Sequence, residues 1–297
     1  MASLRSLTDD TDLYYQAFAI YRQIGDGENI MAGWVDSKLS ETVSGWSVSL
    51  SGQEPLKVLS IGPGEGYTES RIIRVLRSCR QPHHIVHATI VEPAAEMVNK
   101  YKERIADQAS ELPDVAYDWR VQTLEDFQAT PTNYDARFHF ISSVHSIYYV
   151  PDLETSLKDL YDRLEPGGIM LIVVVSDDSG MGQLGKNDPR MHKTKDQHPT
   201  SFDIQVACAS QGIPVAQELR INERFNINLC LCEPKDLSTD GRLLLDFLTH
   251  VANFVRDAPP DLQREVQECL ANAKYSEKGD EGEVIFRADS KAFIIKK

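Results

Sequence analysis

The chain has 297 residues, with 45 acidic against 31 basic side chains, a formal net charge of -14 and a pI near 5.0. That balance argues against a surface for nucleic acid or anionic membrane, and the length allows one large domain or two small ones. No apolar run reaches the ~20 residues needed to span a bilayer; the opening MASLRSL lacks an apolar signal core, and five scattered cysteines fit reduced thiols in a cytosolic protein better than a disulfide frame.

Residues 8 to 39 read as one or two helices bearing Tyr14, Tyr15, Phe18, Tyr21 and Trp34. A strand at 57 to 61 runs into Gly62, Gly64 and Gly66, and helical periodicity follows over 67 to 78. Strand, glycine turn and helix start make a nucleotide-cradling unit, because glycine lets the backbone approach a ligand and the helix N-terminus offers free N–H groups. A second apolar strand, 85 to 91, ends in Glu92, whose carboxylate suits the two ribose hydroxyls of an adenosine. A helix at 94 to 108 and a strand at 115 to 121 come next. Strand four, 138 to 143, leads into SSVHSIYYV, residues 142 to 150. The amphipathic stretch 153 to 164 stops at the breaker EPGG, 165 to 168, before the wholly apolar strand 169 to 175.

This β-α-β-α order predicts a doubly wound α/β domain with a mostly parallel sheet and helices on both faces. After Ser176 the pattern changes. Residues 177 to 198 read as a polar, glycine-rich loop or lid, 201 to 211 and 240 to 256 as helices, and 215 to 233 and 283 to 295 as strand candidates. A single domain over 1–297 is expected. Its parts are an N-terminal helical cap over the active site (1–50), a cofactor-binding core (51–176), and late strands with substrate-binding or lid elements (177–297). Cys230 and Cys232 alternate along the expected strand and read as core. His83, His84 and His87 read as surface or core residues, and no metal-ligand spacing is present.

Dehydrogenase and methyltransferase both fit the glycine loop. Three features favour S-adenosylmethionine over a nicotinamide. The spacing is GxGxG, not GxGxxG; an EPGG turn precedes strand five; and small, aromatic and hydrogen-bonding residues follow strand four, where an α/β sheet places reacting groups.

Ordered blocks along nearly the whole chain then resemble the histamine N-methyltransferase family. They include MASLRSL at 1–7, LSIGPGEG at 59–66, VEPAAE at 91–96, YYV at 148–150, LLDFLT at 244–249 and APPDL at 258–262. The resemblance implies a class I methyltransferase fold, a cytosolic monomer, S-adenosyl-L-methionine as cofactor and a small biogenic amine as acceptor. It places Gly62, Gly64, Gly66, Glu92, Met97, Thr123, Leu124 and Val144 at the cofactor, with Met97 and Leu124 replacing polar residues of the family. It places Tyr14, Phe18, Tyr149 and Phe247 in an aromatic substrate box, with His145 and Asp289, or Ala288 if the local gap is placed differently, as altered polar anchors. The family's amine-binding glutamate falls on Gly27, or on Glu28 after a one-residue shift. A tryptophan becomes Gly185 and a cysteine becomes Asp196, so the accepted amine is open. His145 and Tyr149 are the expected catalytic pair. Two other readings stand beside this one: a cofactor-binding protein without turnover, and an O- or carboxyl-methyltransferase of a small metabolite.

Overall fold

A computed structural model describes residues 4–46, 54–78, 85–108, 112–184 and 199–297. Gly185, Asp196, Cys79, His83, His84 and most of the expected lid lie outside the described residues. In chain order the helices are α1 (Thr11–Gly25), α2 (Gly27–Trp34), α3 (Ser40–Ser44), α4 (Tyr67–Ser78), α5 (Ala95–Asp107), α6 (Leu124–Ala129), α7 (Leu153–Asp162), α8 (Gly180–Leu184), α9 (Ser201–Ser210), α10 (Thr239–Thr249), α11 (Phe254–Asp257) and α12 (Pro260–Ala271). The strands are β1 (Leu56–Ile61), β2 (Val86–Val91), β3 (Val115–Arg120), β4 (Phe138–Val144), β5 (Leu164–Val175), β6 (Val215–Ile221), β7 (Arg224–Asn226), β8 (Ser276–Lys278), β9 (Val284–Arg287) and β10 (Ser290–Lys296). Two compact units emerge: 28–174 with 202–221 and 291–297, and 1–27 with 175–201 and 222–290.

The first unit is built on a seven-stranded sheet in the order β3-β2-β1-β4-β5-β10-β6. Its first five strands run parallel. The apolar run of β5 is explained by burial on both faces: Ile169, Leu171 and Val173 join one core, Met170, Ile172 and Val174 the other. Helices supply complementary stripes. Leu157 and Leu160 of α7 are buried, and Asp152 caps that helix by accepting the Thr155 N–H. Register levels the carboxyl ends, since Ile61 pairs with both Val91 and Ser143. The loops after β1, β2 and β4 therefore emerge side by side, where ligands bind in open α/β sheets. Within β5, Leu164 pairs with Phe138 and Ile169 with Phe140, so EPGG is a bulge in the strand and not a break ahead of it.

The second unit combines α1, α8, α10, α11 and α12 with a small antiparallel sheet, β7-β9-β8. Its core includes Phe225, Leu244, Leu248, Phe254, Leu262, Val266, Leu270 and Phe286. Four expectations need correction. The helix expected over 240–256 ends at Thr249, because His250 and Asn253 take left-handed backbone; the Asp246 carboxylate accepts the N–H groups of Asn253 and Phe254 and seats the next helix. The strand expected over 215–233 stops at Ile221 and resumes only for Arg224–Asn226. Cys230 closes a 3-10 turn, so it is buried while Cys232 is exposed and the two share no face. Asn226 Oδ1 begins that turn by accepting the Asn228 N–H. Helix α12 lies where the sequence reading has no element. Its signals are Pro260 at the first helical position and the buried spacing Leu262, Val266, Leu270.

Candidate functional site

The three glycines of the turn after β1 share a backbone conformation but differ in what surrounds them. Gly62, Gly64 and Gly66 all have positive φ (57°, 57° and 73°), which L side chains disfavour. A Cβ on Gly62 would lie 2.6 Å from the Ser146 Cβ, and one on Gly66 would lie 2.0 Å from the Tyr101 ring. A Cβ on Gly64 would meet nothing within 4 Å. Gly62 and Gly66 thus fit the loop against its own fold, while Gly64 faces open space. The backbone there fits a cofactor cradle, because free volume lies beside the Gly64 main chain.

Glu92 at the tip of β2 is 7% exposed and binds the same loop. Its Oε2 accepts the Gly64 N–H at 3.0 Å and its Oε1 accepts the Ala94 N–H at 2.9 Å. Burial raises its pKa, and the two N–H donors oppose the rise. A carboxylate has about four acceptor positions, so two oxygens holding one N–H each keep capacity for hydroxyls. Met97 is buried in α5, Thr123 caps α6 by accepting the Asp126 N–H, Leu124 is buried in its first turn, and half-buried Val144 ends β4. All these residues belong to the first unit.

The end of β4 is pinned to β1. Ser146 donates to the Ile61 carbonyl at 2.6 Å and shares a 2.6 Å hydrogen bond with Ser143. His145 between them takes left-handed backbone at φ 53°. The residue as a whole is half-buried, and desolvation of its imidazole lowers the pKa to about 4. Residues Ile147–Tyr149 form a 3-10 turn, not extended chain. Tyr148 packs on the core and Tyr149 is 53% exposed, its ring edge-on to Tyr148 at 4.9 Å.

In the second unit Tyr14, Phe18 and Tyr21 lie on one face of α1 by their four- and three-residue spacing. Phe247 of α10 stacks on Tyr21 at 4.4 Å and on Phe18 at 5.6 Å, and Tyr14 lies 6.4 Å from it. Three of the four residues of the expected box, Tyr14, Phe18 and Phe247, thus lie together within this unit beside Tyr21, while Tyr149 belongs to the first unit. Asp289 is fully buried: its carboxylate accepts from the Arg224 guanidinium and, at 3.2 Å, from the Glu223 N–H. Its charge is met inside the unit. Glu28 sits half-buried in the first turn of α2, within the stretch expected to be helical.

Sequence reasoning passes over Glu223. It is 5% exposed, takes hydrogen bonds from Tyr21 Oη at 3.3 Å and Ser290 Oγ at 3.4 Å, and burial pushes its pKa up to about 7. Its only signal in the sequence is a carboxylate between two short strand patterns. Ser146 and Tyr101 are missed for the same reason: their roles are steric and non-local.

A methyltransferase-domain family profile matches residues 33–212. The chain is 32% identical to histamine N-methyltransferase A of Xenopus laevis over 99% of its own length and 98% of the relative's. It is 30% identical to the histamine N-methyltransferase of Cavia porcellus over 96% of each chain. Its fold is similar to that of the YcgJ protein of Bacillus subtilis, with a TM-score of 0.53, 14% identity, and coverage of 90% of this chain and 97% of that one.

Proposed function

The chain belongs to the histamine N-methyltransferase family, and from that premise we propose that it moves a methyl group from S-adenosyl-L-methionine to a nitrogen of a small biogenic amine, histamine or a close relative. The observation that carries the reading is the clamp between Glu92 and the Gly64 N–H. It joins the acid suited to a ribose to the turn suited to the rest of the cofactor. We take the enzyme to act as a cytosolic monomer, as the resemblance implies; among the described residues no helix is long and apolar enough to cross a membrane.

The cofactor, when bound, supplies a methyl group already activated on a sulfonium. The residues of the chain then need to bind and orient, which is where proximity alone is worth about 7 to 11 kcal/mol in favourable cases. Gly62, Gly64 and Gly66 would let the main chain close on the cofactor. Glu92 would hold the ribose hydroxyls. Met97, Thr123, Leu124 and Val144 would border the adenosine, with apolar contacts and main-chain polar groups. Tyr14, Phe18, Tyr149 and Phe247 would offer ring faces to the acceptor.

His145 has a narrower part. An imidazole that titrates near 4 is uncharged at neutral pH and is a weak base. It suits a hydrogen bond that orients the acceptor better than removal of a proton from an alkylammonium. A ring nitrogen with a pKa of about 6.5 is largely unprotonated at neutral pH and needs no stronger base. Asp289, committed to Arg224, supports its neighbours and leaves the substrate's charge to another group.

Calorimetry with S-adenosyl-L-methionine, followed by methyl transfer to histamine and related amines with product fragmentation, tests the reading. Cofactor binding with an N-methylated product is expected. Cofactor binding without turnover on any amine, or an oxygen-methylated product, would overturn it.

A further inference from the structure

We propose that Glu223, in the link between β6 and β7, is the residue that binds the ammonium group of the substrate and so sets the preference for a cationic amine. This rests on the amine-methyltransferase reading above and assigns the charge-recognising role to Glu223 instead of Glu28.

Three observations in the second unit carry it. First, the Glu223 carboxylate lies against the aromatic cluster: Tyr21, which donates to its Oε2 at 3.3 Å, has its ring 4.4 Å from Phe247. Ring faces and a carboxylate together suit an ammonium ion. Second, its partners are neutral hydroxyls, Tyr21 and Ser290. The guanidinium nearby, Arg224, pairs with Asp289 and Glu277, and among the described residues no ion pair reaches Glu223. A buried carboxyl group with two long hydrogen bonds and no cation beside it resists ionisation, and a bound cation would stabilise its charged form. Burial accordingly pushes its pKa up to about 7, and a bound cation would bring it down. Third, the backbone opposite is Gly27, where a Cβ would lie 3.5 Å from Glu223 Oε2. A Cβ there would sit in van der Waals contact with that oxygen, which glycine leaves clear on that side. Asp289 completes the arrangement by accepting the Glu223 N–H, which fixes the main chain from which the carboxylate extends.

Glu28 has an account that needs no ligand. It stands in the first turn of α2, where a carboxylate is stabilised by the helix dipole.

The test is equilibrium binding to the intact chain in the presence of S-adenosylhomocysteine. Each ring is offered with and without its ammonium arm: histamine against 4-methylimidazole, tyramine against p-cresol, tryptamine against 3-methylindole. The wild type should prefer at least one ammonium-bearing partner by about tenfold or more. Glu223→Gln should erase that preference and leave S-adenosylhomocysteine affinity unchanged. Glu223→Asp, which keeps the charge, should restore part of it. Thermal unfolding confirms that each variant is folded. No preference in the wild type, or one that survives Glu223→Gln in folded protein, would overturn the assignment to Glu223. A preference that Glu223→Gln abolishes, with no methyl transfer to any of these amines, would support Glu223 and sink the enzymatic reading instead.

Discussion

The ring of Tyr101 fills the space that a side chain at Gly66 would need, with Cδ2 2.0 Å and Cε2 2.1 Å from the position of such a Cβ. Tyr101 is fully buried and lies edge-on to Trp119 at 5.2 Å, so it cannot swing aside into solvent. Gly64, two residues earlier, has the same sign of φ and open space around it. Alanine should separate the two causes. Gly64→Ala carries left-handed strain alone, about 1 to 2 kcal/mol. Gly66→Ala adds overpacking and should lose about 2 to 5 kcal/mol. Urea unfolding of both variants measures this, and equal losses would refute the steric account.

Glu92 serves the loop as well as the ribose. Glu92→Ala leaves the Gly64 and Ala94 N–H groups without their acceptor. Each bond to a charged acceptor is worth about 1.5 to 3 kcal/mol. S-adenosyl-L-methionine should therefore bind about tenfold to a hundredfold more weakly. Calorimetry with the variant reads this directly, and unchanged affinity would remove Glu92 from the cofactor site.

Most of the sheet unit is legible from sequence because its signals are local. The apolar run of β5, the glycine turn and the carboxylate at residue 92 each declare themselves within a few residues. The second unit is harder. The break after Thr249 depends on Asp246 reaching the N–H groups of Asn253 and Phe254, and the turn at Cys230 depends on Asn226. Both are side-chain contacts that hydrophobic periodicity does not register. Asp289 is visible as a charged residue in an expected strand, but its pairing with Arg224 crosses 65 positions. Glu223 meets Tyr21 across 202 positions, a contact no spacing rule can foresee.

Glu69 gives a stability prediction with a defined sign. It is 3% exposed in α4, accepts a hydrogen bond from Ser142 at 2.9 Å, and burial raises its pKa from 4.5 to about 7. The folded state therefore holds a proton that the unfolded state has released between those values. From this group, stability is greatest below pH 4.5 and falls as pH rises toward 7. Glu69→Gln stays neutral throughout and can still accept from Ser142. It should gain up to about 3 kcal/mol over the wild type at pH 8, and the gain should vanish near pH 4.5. Denaturation at both pH values checks this. A constant difference would show that packing, not ionisation, separates the two proteins.

His145 makes the sharpest statement about the chemistry. Desolvation holds its pKa at about 4, so its ring does not change charge between pH 5 and 8. If it orients the acceptor by a hydrogen bond, His145→Gln keeps an uncharged side chain of that capacity. The variant should retain methyl transfer, with KM for the preferred amine altered by more than kcat, and it should leave cofactor affinity intact. The pH profile of kcat/KM in the wild type should show no ionisation assignable to His145 in that window, and the variant's profile should have the same shape. A general base behaves differently. Losing it would depress kcat by about a hundredfold or more and would erase a limb of the profile. Profiles of both proteins on one amine, collected from pH 5 to 9, decide between the roles. A limb present in the wild type and missing in His145→Gln would establish proton transfer at His145 and overturn its assignment as an orienting group.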